Sequence, residues 1–148
     1  MKFIDSRYNH YNGSSKVILR HLGQLFEGWA KLNPEDEDKA SEYAGCAYAE
    51  QRAYIKALKY ERKLAKEEAE VCRKFIKACS STKAWDPTSP SAKVAYHQLN
   101  VKIKKVNKLA DMINAAEKSL QQSIWTRDVT IKAFRENKQK RLNDKAEF

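Results

Sequence analysis

Apolar residues recur along most of this chain at alternating spacings of three and four, the period of one face of an α-helix. The first such stripe is Ile18, Leu22, Leu25, Trp29 and Leu32. Ser14 or Ser15 can cap a helix there, and Asn33-Pro34 ends it. Residues 1–13 show no period, and the cluster Asn9, His10, Tyr11, Asn12, Gly13 reads as a loop, so this segment is an arm. Asn33-Pro34 also opens the next helix, with Glu35, Asp36, Glu37 and Asp38 at the positive end of its dipole. Apart from Gly45, no breaker follows until Asp86-Pro87, which predicts a helix from about 34 to about 81. Its seam is Ala40, Ala44, Ala47, Gln51, Tyr54, Leu58, Glu61, Ala65, Glu68, Cys72, Phe75 and Cys79, mostly small residues. The stretch SSTKAWDPTSPS at 80–91 is the clear interior loop. Ser89-Pro90 or Ser91 then starts a last helix running to about residue 143. Its seam is Leu99, Ile103, Val106, Ala110, Ile113, Glu117, Leu120, Ile124, Arg127, Ile131, Phe134 and Lys138, mostly large residues. A small seam facing a large one lets two helices approach closely. The pattern therefore predicts an all-α chain: an N-terminal arm and short helix over 1–33, packed on a long antiparallel, coiled-coil-like helical hairpin over 34–148 with its loop at about 80–91.

Composition supports long helices. Four Gly and three Pro in 148 residues are too few for a fold with frequent turns. No apolar run approaches the roughly 20 residues of a membrane span, and the N-terminus lacks the apolar core of a signal peptide. Cys46, Cys72 and Cys79 form no CxxC pair and read as reduced thiols of a cytoplasmic protein, in the host cytoplasm if the protein is viral. Tyr43, Tyr48, Ile55, Leu64, Val71, Ile76, Trp125 and Val129 lie off the seams. A two-helix rod cannot bury both seams and such flanks, so the chain is expected to form a homo-oligomer.

The charge is unevenly placed. Of the net +10, residues 56–108 carry fourteen Lys/Arg against five Asp/Glu. Lys56, Lys59, Lys63 and Lys66 fall along one helix face with Arg62 beside them, and Lys102, Lys105 and Lys108 with Lys104 do the same on the last helix. A hairpin turning near residue 86 pairs residue i with about 172 minus i, so the two stripes converge. Lysines in such a stripe suit phosphate contact without base readout. Tyr54, Tyr60, Tyr96 and Trp85 lie among or near them and could stack on unpaired bases. The bland alternative is that the lysines solubilise a long helix and the aromatics are core. Catalysis has no comparable signal: His10, His21 and His97 are far apart, HExxH, P-loop and GxSxG motifs are absent, and the acidic clusters suit a solvated face and a helix start. No enzyme activity, cofactor or metal is expected.

The stretch Ser123-Ile124-Trp125-Thr126-Arg127-Asp128-Val129-Thr130-Ile131-Lys132 resembles the end of the last long helix of UvsY-type recombination mediators of tailed bacteriophages. The Tyr/Ala-rich helix from Ser41 to Tyr60 is similar to that family in character. The resemblance covers about ten residues closely and has no counterpart for the first 33. It implies a helical, ring-forming protein that binds single-stranded DNA and helps load a recombinase onto DNA coated by single-strand-binding protein. Arg127 and Lys132 would then be the matching basic residues, and Ile124 and Ile131 the packing ones. Arg127 also has a structural reading, with its head paired to an acid such as Glu42 or Asp36. The functional expectation is a non-enzymatic single-stranded nucleic-acid-binding protein, DNA favoured, and possible partners are a recombinase or single-strand-binding protein. The rival is a coiled-coil assembly component or protein-docking module in which the seams are the function.

Overall fold

The computed structural model describes residues 1–32 and 39–146, and for 39–41 the backbone alone. Three strands, β1 (Lys2–Asn9), β2 (Ser14–His21) and β3 (Gln24–Lys31), precede two helices, α1 (Lys39–Ser80) and α2 (Pro90–Ala146). The chain is therefore α+β, and the all-α expectation is corrected. Its N-terminal arm and short helix are instead an antiparallel meander in the order β1-β2-β3. The expected helix start at Asn33-Pro34 and the acidic run after it lie outside the described residues.

The correction has a definite physical origin. The true period of this segment is two, not 3.6. Ser15, Val17 and Leu19 of β2 are buried on one face, opposite Ala30, Gly28 and Phe26 of β3. The stripe that looked helical runs mostly over the other side: Ile18 is half-buried, Leu25 and Trp29 are exposed, and Leu22 sits in a turn. Small core residues such as Gly28 and Ala30 carry little hydrophobic signal, so the outward Leu and Trp dominated the pattern. The β1–β2 loop contains Asn12-Gly13, with Gly13 at φ 68°, a strong hairpin signal. The β2–β3 turn gives no such warning. Its two residues, Leu22 and Gly23, have φ of 51° and 76°, and leucine is an uncommon choice for that left-handed region.

By contact the chain divides into two compact units, Met1–Asn114 and Ala115–Phe148, with α2 contributing to both. In the first unit, α1 lies across β2 and β3 and touches β1 little. Helix and sheet meet backbone to backbone. Ala49, Ala53 and Ala57 are wholly buried, and a Cβ on Gly28 would overlap the Ala49 carbonyl and crowd the Ala53 nitrogen. Gly45 leaves the same kind of space for the Ser15 side chain, and α1 is continuous through it. The free edge of β3 is also closed. Arg52 and Lys56, one helical turn apart, donate to the carbonyls of Trp29 (2.6 Å) and Glu27 (2.7 Å), which blunts an edge that could otherwise recruit another strand. His21 at the end of β2 meets Glu61 at 2.8 Å.

Beyond the sheet, α1 turns into α2 through residues 81–89. The hydroxyls of Ser80, Ser81 and Thr82 bond the carbonyls of Lys77, Ala78 and Cys79, closing α1. Asp86 accepts from the Thr88 amide and hydroxyl, which holds its carboxyl below the ordinary value. Ser89 caps α2, accepting from the Ala92 amide at 3.2 Å with Pro90 at the first helical position. In the second unit, Leu120 is buried and Ile124, Arg127 and Ile131 are half-buried, whereas Phe134 is exposed. Among the described residues no helix is long and apolar enough to cross a membrane.

Candidate nucleic-acid interface

In the first unit one ion pair joins the helices that carry the two lysine stripes. Lys102 of α2 bonds Glu68 of α1 at 2.7 Å, which fixes the register of the hairpin two residues from the expected pairing. The hydrogen bond from Lys102, reinforced by its charge and that of Lys105, holds the Glu68 carboxyl below its ordinary value. The same bond to Glu68 raises the Lys102 ammonium. Lys66 stands on the wall of an open groove whose apolar lining is Ala69, Ile103 and Val106, with Arg73 and Asn107 on its rim. Glu67 and Glu70 share that groove, so its charge is mixed. Lys59, Lys63, Lys104, Lys105 and Lys108 are exposed, and Arg62 is half-buried.

Not every expected residue joins this surface. Lys56 belongs to the β3 edge, where its bond to Glu27 ties α1 to the sheet. Arg127 and Lys132 are in the second unit, half-buried and exposed respectively. Of the acidic partners expected for Arg127, Asp36 lies outside the described residues. Among the aromatics, Tyr60 packs against Phe26 at 5.4 Å between ring centroids and serves the core. Trp85 and Tyr96 meet edge-on at 6.4 Å beside the interhelical loop, half-buried and exposed respectively.

A second basic surface escaped the helical reading. Strand register places Arg7, Lys16 and Trp29 in one row on the sheet face away from α1, with Asp5, Ile18 and Glu27 in the next. Lys2 and Arg20 lie on the same face beyond them, and Lys31 on that face at the opposite end, past Trp29. Arg7 pairs with Asp5 at 3.0 Å and Lys16 with Glu27 at 3.3 Å. The Lys16 ammonium also stands 5.0 Å from the centre of the Trp29 ring. The signal available in the sequence was the alternation itself, with Lys16, Ile18 and Arg20, then Leu25, Glu27, Trp29 and Lys31, at every second position.

Among the described residues no cluster of three or more His, Cys, Asp or Glu side chains is placed to hold a metal. Cys46, Cys72 and Cys79 are free thiols, each half-buried. No family model, curated protein or solved structure matches the chain.

Proposed function

We propose that this protein is a non-enzymatic, oligomeric single-stranded nucleic-acid-binding protein whose hairpin contributes a phosphate-binding surface. The reading is carried by the exposed Lys63 and Lys66 of α1 and Lys105 and Lys108 of α2, on the two helices that the Glu68–Lys102 bridge joins. Over residues 56–108 the excess of fourteen basic over five acidic residues supports it. Lysine heads on exposed helix faces suit a polyanion without sequence readout, with affinity that falls steeply as salt displaces the released counterions. In its sharper form the protein is a recombination mediator of the UvsY type, acting in the cytoplasm to help load a recombinase on single-stranded DNA, with Arg127 and Lys132 as further basic contacts. Anisotropy of a labelled single strand, titrated at low and high salt beside a duplex of equal length, tests the reading. Single-strand binding that weakens with salt is expected.

A second reading has its own observation. Val71 and Phe75, 67% and 59% exposed, flank an apolar groove completed by Cys72, Ile76, Ala95 and Gln98. A second copy of the chain seated there makes an assembly protein whose lysines only solubilise it. Self-association lost in Phe75→Glu, in a protein that binds no nucleic acid, would favour this alternative.

A further inference from the structure

We infer that the outer face of the β-sheet is a stacking platform for unpaired bases, with Trp29 as the stacking ring and Arg7 and Lys16 as its phosphate ligands. This rests on the nucleic-acid reading above and adds to the hairpin a second surface of different chemistry.

All charged residues of the three strands lie on this one face. They are Lys2, Arg7, Lys16, Arg20 and Lys31 against Asp5 and Glu27, an excess of three positive charges. The two carboxylates are each engaged by one of the cations. In the middle of this field sits an indole that is 51% exposed. The core has no use for it, because its neighbours in β3, Gly28 and Ala30, face α1 and the strand alternation turns Trp29 away. Its position is nonetheless fixed. The Trp29 carbonyl is held by Arg52, its strand is paired to β2, and Lys16 lies against the ring. A ring already held in place loses little freedom when a base stacks on it.

The hairpin end beside it is organised too. The Asn9 side chain accepts from the Tyr11 amide (2.9 Å), the Asn9 carbonyl accepts from Gly13, and the Gly13 carbonyl accepts from Leu32 at the end of β3. Tyr11, 97% exposed, is thus carried on an anchored loop that borders the same depression as Arg7, Lys16 and Trp29. Aromatic rings interleaved with cations on a rigid surface are what a flexible single strand requires: ring faces for bases, cations for phosphates. A duplex presents its bases edge-on and cannot use the indole in this way.

The test uses the full chain with Trp85→Phe and Trp125→Phe, so that Trp29 is the sole tryptophan. It is titrated with oligo(dT) and with an abasic strand of equal length. Oligo(dT) is expected to quench Trp29 emission, and the abasic strand to leave it nearly unchanged. In parallel, Trp29→Ala is expected to weaken oligo(dT) binding roughly tenfold, with Trp29→Phe recovering part of the loss. Undiminished binding by Trp29→Ala together with unquenched emission overturns the platform. If Lys63→Glu/Lys66→Glu/Lys105→Glu then abolishes binding, the hairpin reading stands alone. Loss of binding in Trp29→Ala but not in the triple lysine variant keeps the platform and removes the hairpin. Emission that changes with protein concentration alone, and not with oligo(dT), assigns Trp29 to a contact between copies and overturns the inference.

Discussion

Helix α1 meets two neighbours along its length, and the two contacts are built from opposite materials. Its N-terminal half meets the sheet through Ala49, Ala53, Ala57, Gly45 and Gly28, residues small enough for helix and strand backbones to touch. Its C-terminal half meets α2 across an open groove, with Val71 and Phe75 left outside and a solvent-exposed bridge from Glu68 to Lys102. The first contact excludes both water and side-chain volume, and close packing of that kind is where most of the stability of a small domain resides. The second exposes charge. A surface that must exchange counterions for a polyanion has to remain open in this way. Close packing and exposed charge therefore occupy different halves of one helix, and substitutions can separate their effects.

The largest effect is expected where the backbones touch. Gly28→Ala forces a methyl into the Ala49 carbonyl, and overpacking of a close contact costs about 3 kcal/mol, to be read by denaturant or thermal unfolding. Leu19→Ala removes a buried side chain from the sheet face and is expected to cost about 2–3 kcal/mol. Phe75→Ala, on the open half, is expected to change monomer stability by under about 0.5 kcal/mol. Equal losses at Leu19 and Phe75 would erase the contrast between the two halves.

The smallest effect is that of the exposed bridge. The folded Glu68 carboxyl titrates below its ordinary value because Lys102 bonds it, so its contribution is present above the ordinary carboxyl range and is lost as pH falls through the lowered value. Lys102 is shifted upward by the same bond, so its contribution is present below the ordinary lysine range and is lost as pH rises through the raised value. Glu68→Gln is therefore expected to lower stability slightly at neutral pH and not at all in acid, measured as the difference between the two proteins across a pH series. A difference that grows in acid would contradict the assigned bond.

The hairpin was legible because its signals are redundant. The α2 seam from Leu99 to Ile131 is buried or half-buried at every position, and Ser89-Pro90 opens the helix with both a cap and a fixed φ. The α1 seam was read less well. Leu58 and Ala65 are buried as expected, but Ala49, Ala53 and Ala57 had no place in it, because their partner is a sheet. The sheet itself stayed hidden for two reasons. Its core face uses Ser, Gly and Ala beside Val17 and Leu19, while Leu25 and Trp29 point outward and complete a false helical period. The Leu22-Gly23 turn also lacks the Asn or Asp that marks such hairpins. The lysine stripes were visible as spacing, and most of their members are exposed on α1 and α2. The cations of the sheet were invisible as a group until the register aligned them in rows.

The most direct measurement is the affinity of the full chain for a labelled single strand of roughly 20 nucleotides at about 50 mM and about 300 mM salt. With Lys63, Lys66, Lys105 and Lys108 engaged, affinity is expected to fall on the order of a hundredfold between the two conditions, and each lysine removed should reduce the salt slope by about 0.7. A duplex of equal length should bind more weakly than the single strand. Binding absent at low salt, or unchanged between the two conditions, would contradict the account and leave the lysines as solvation of an assembly protein.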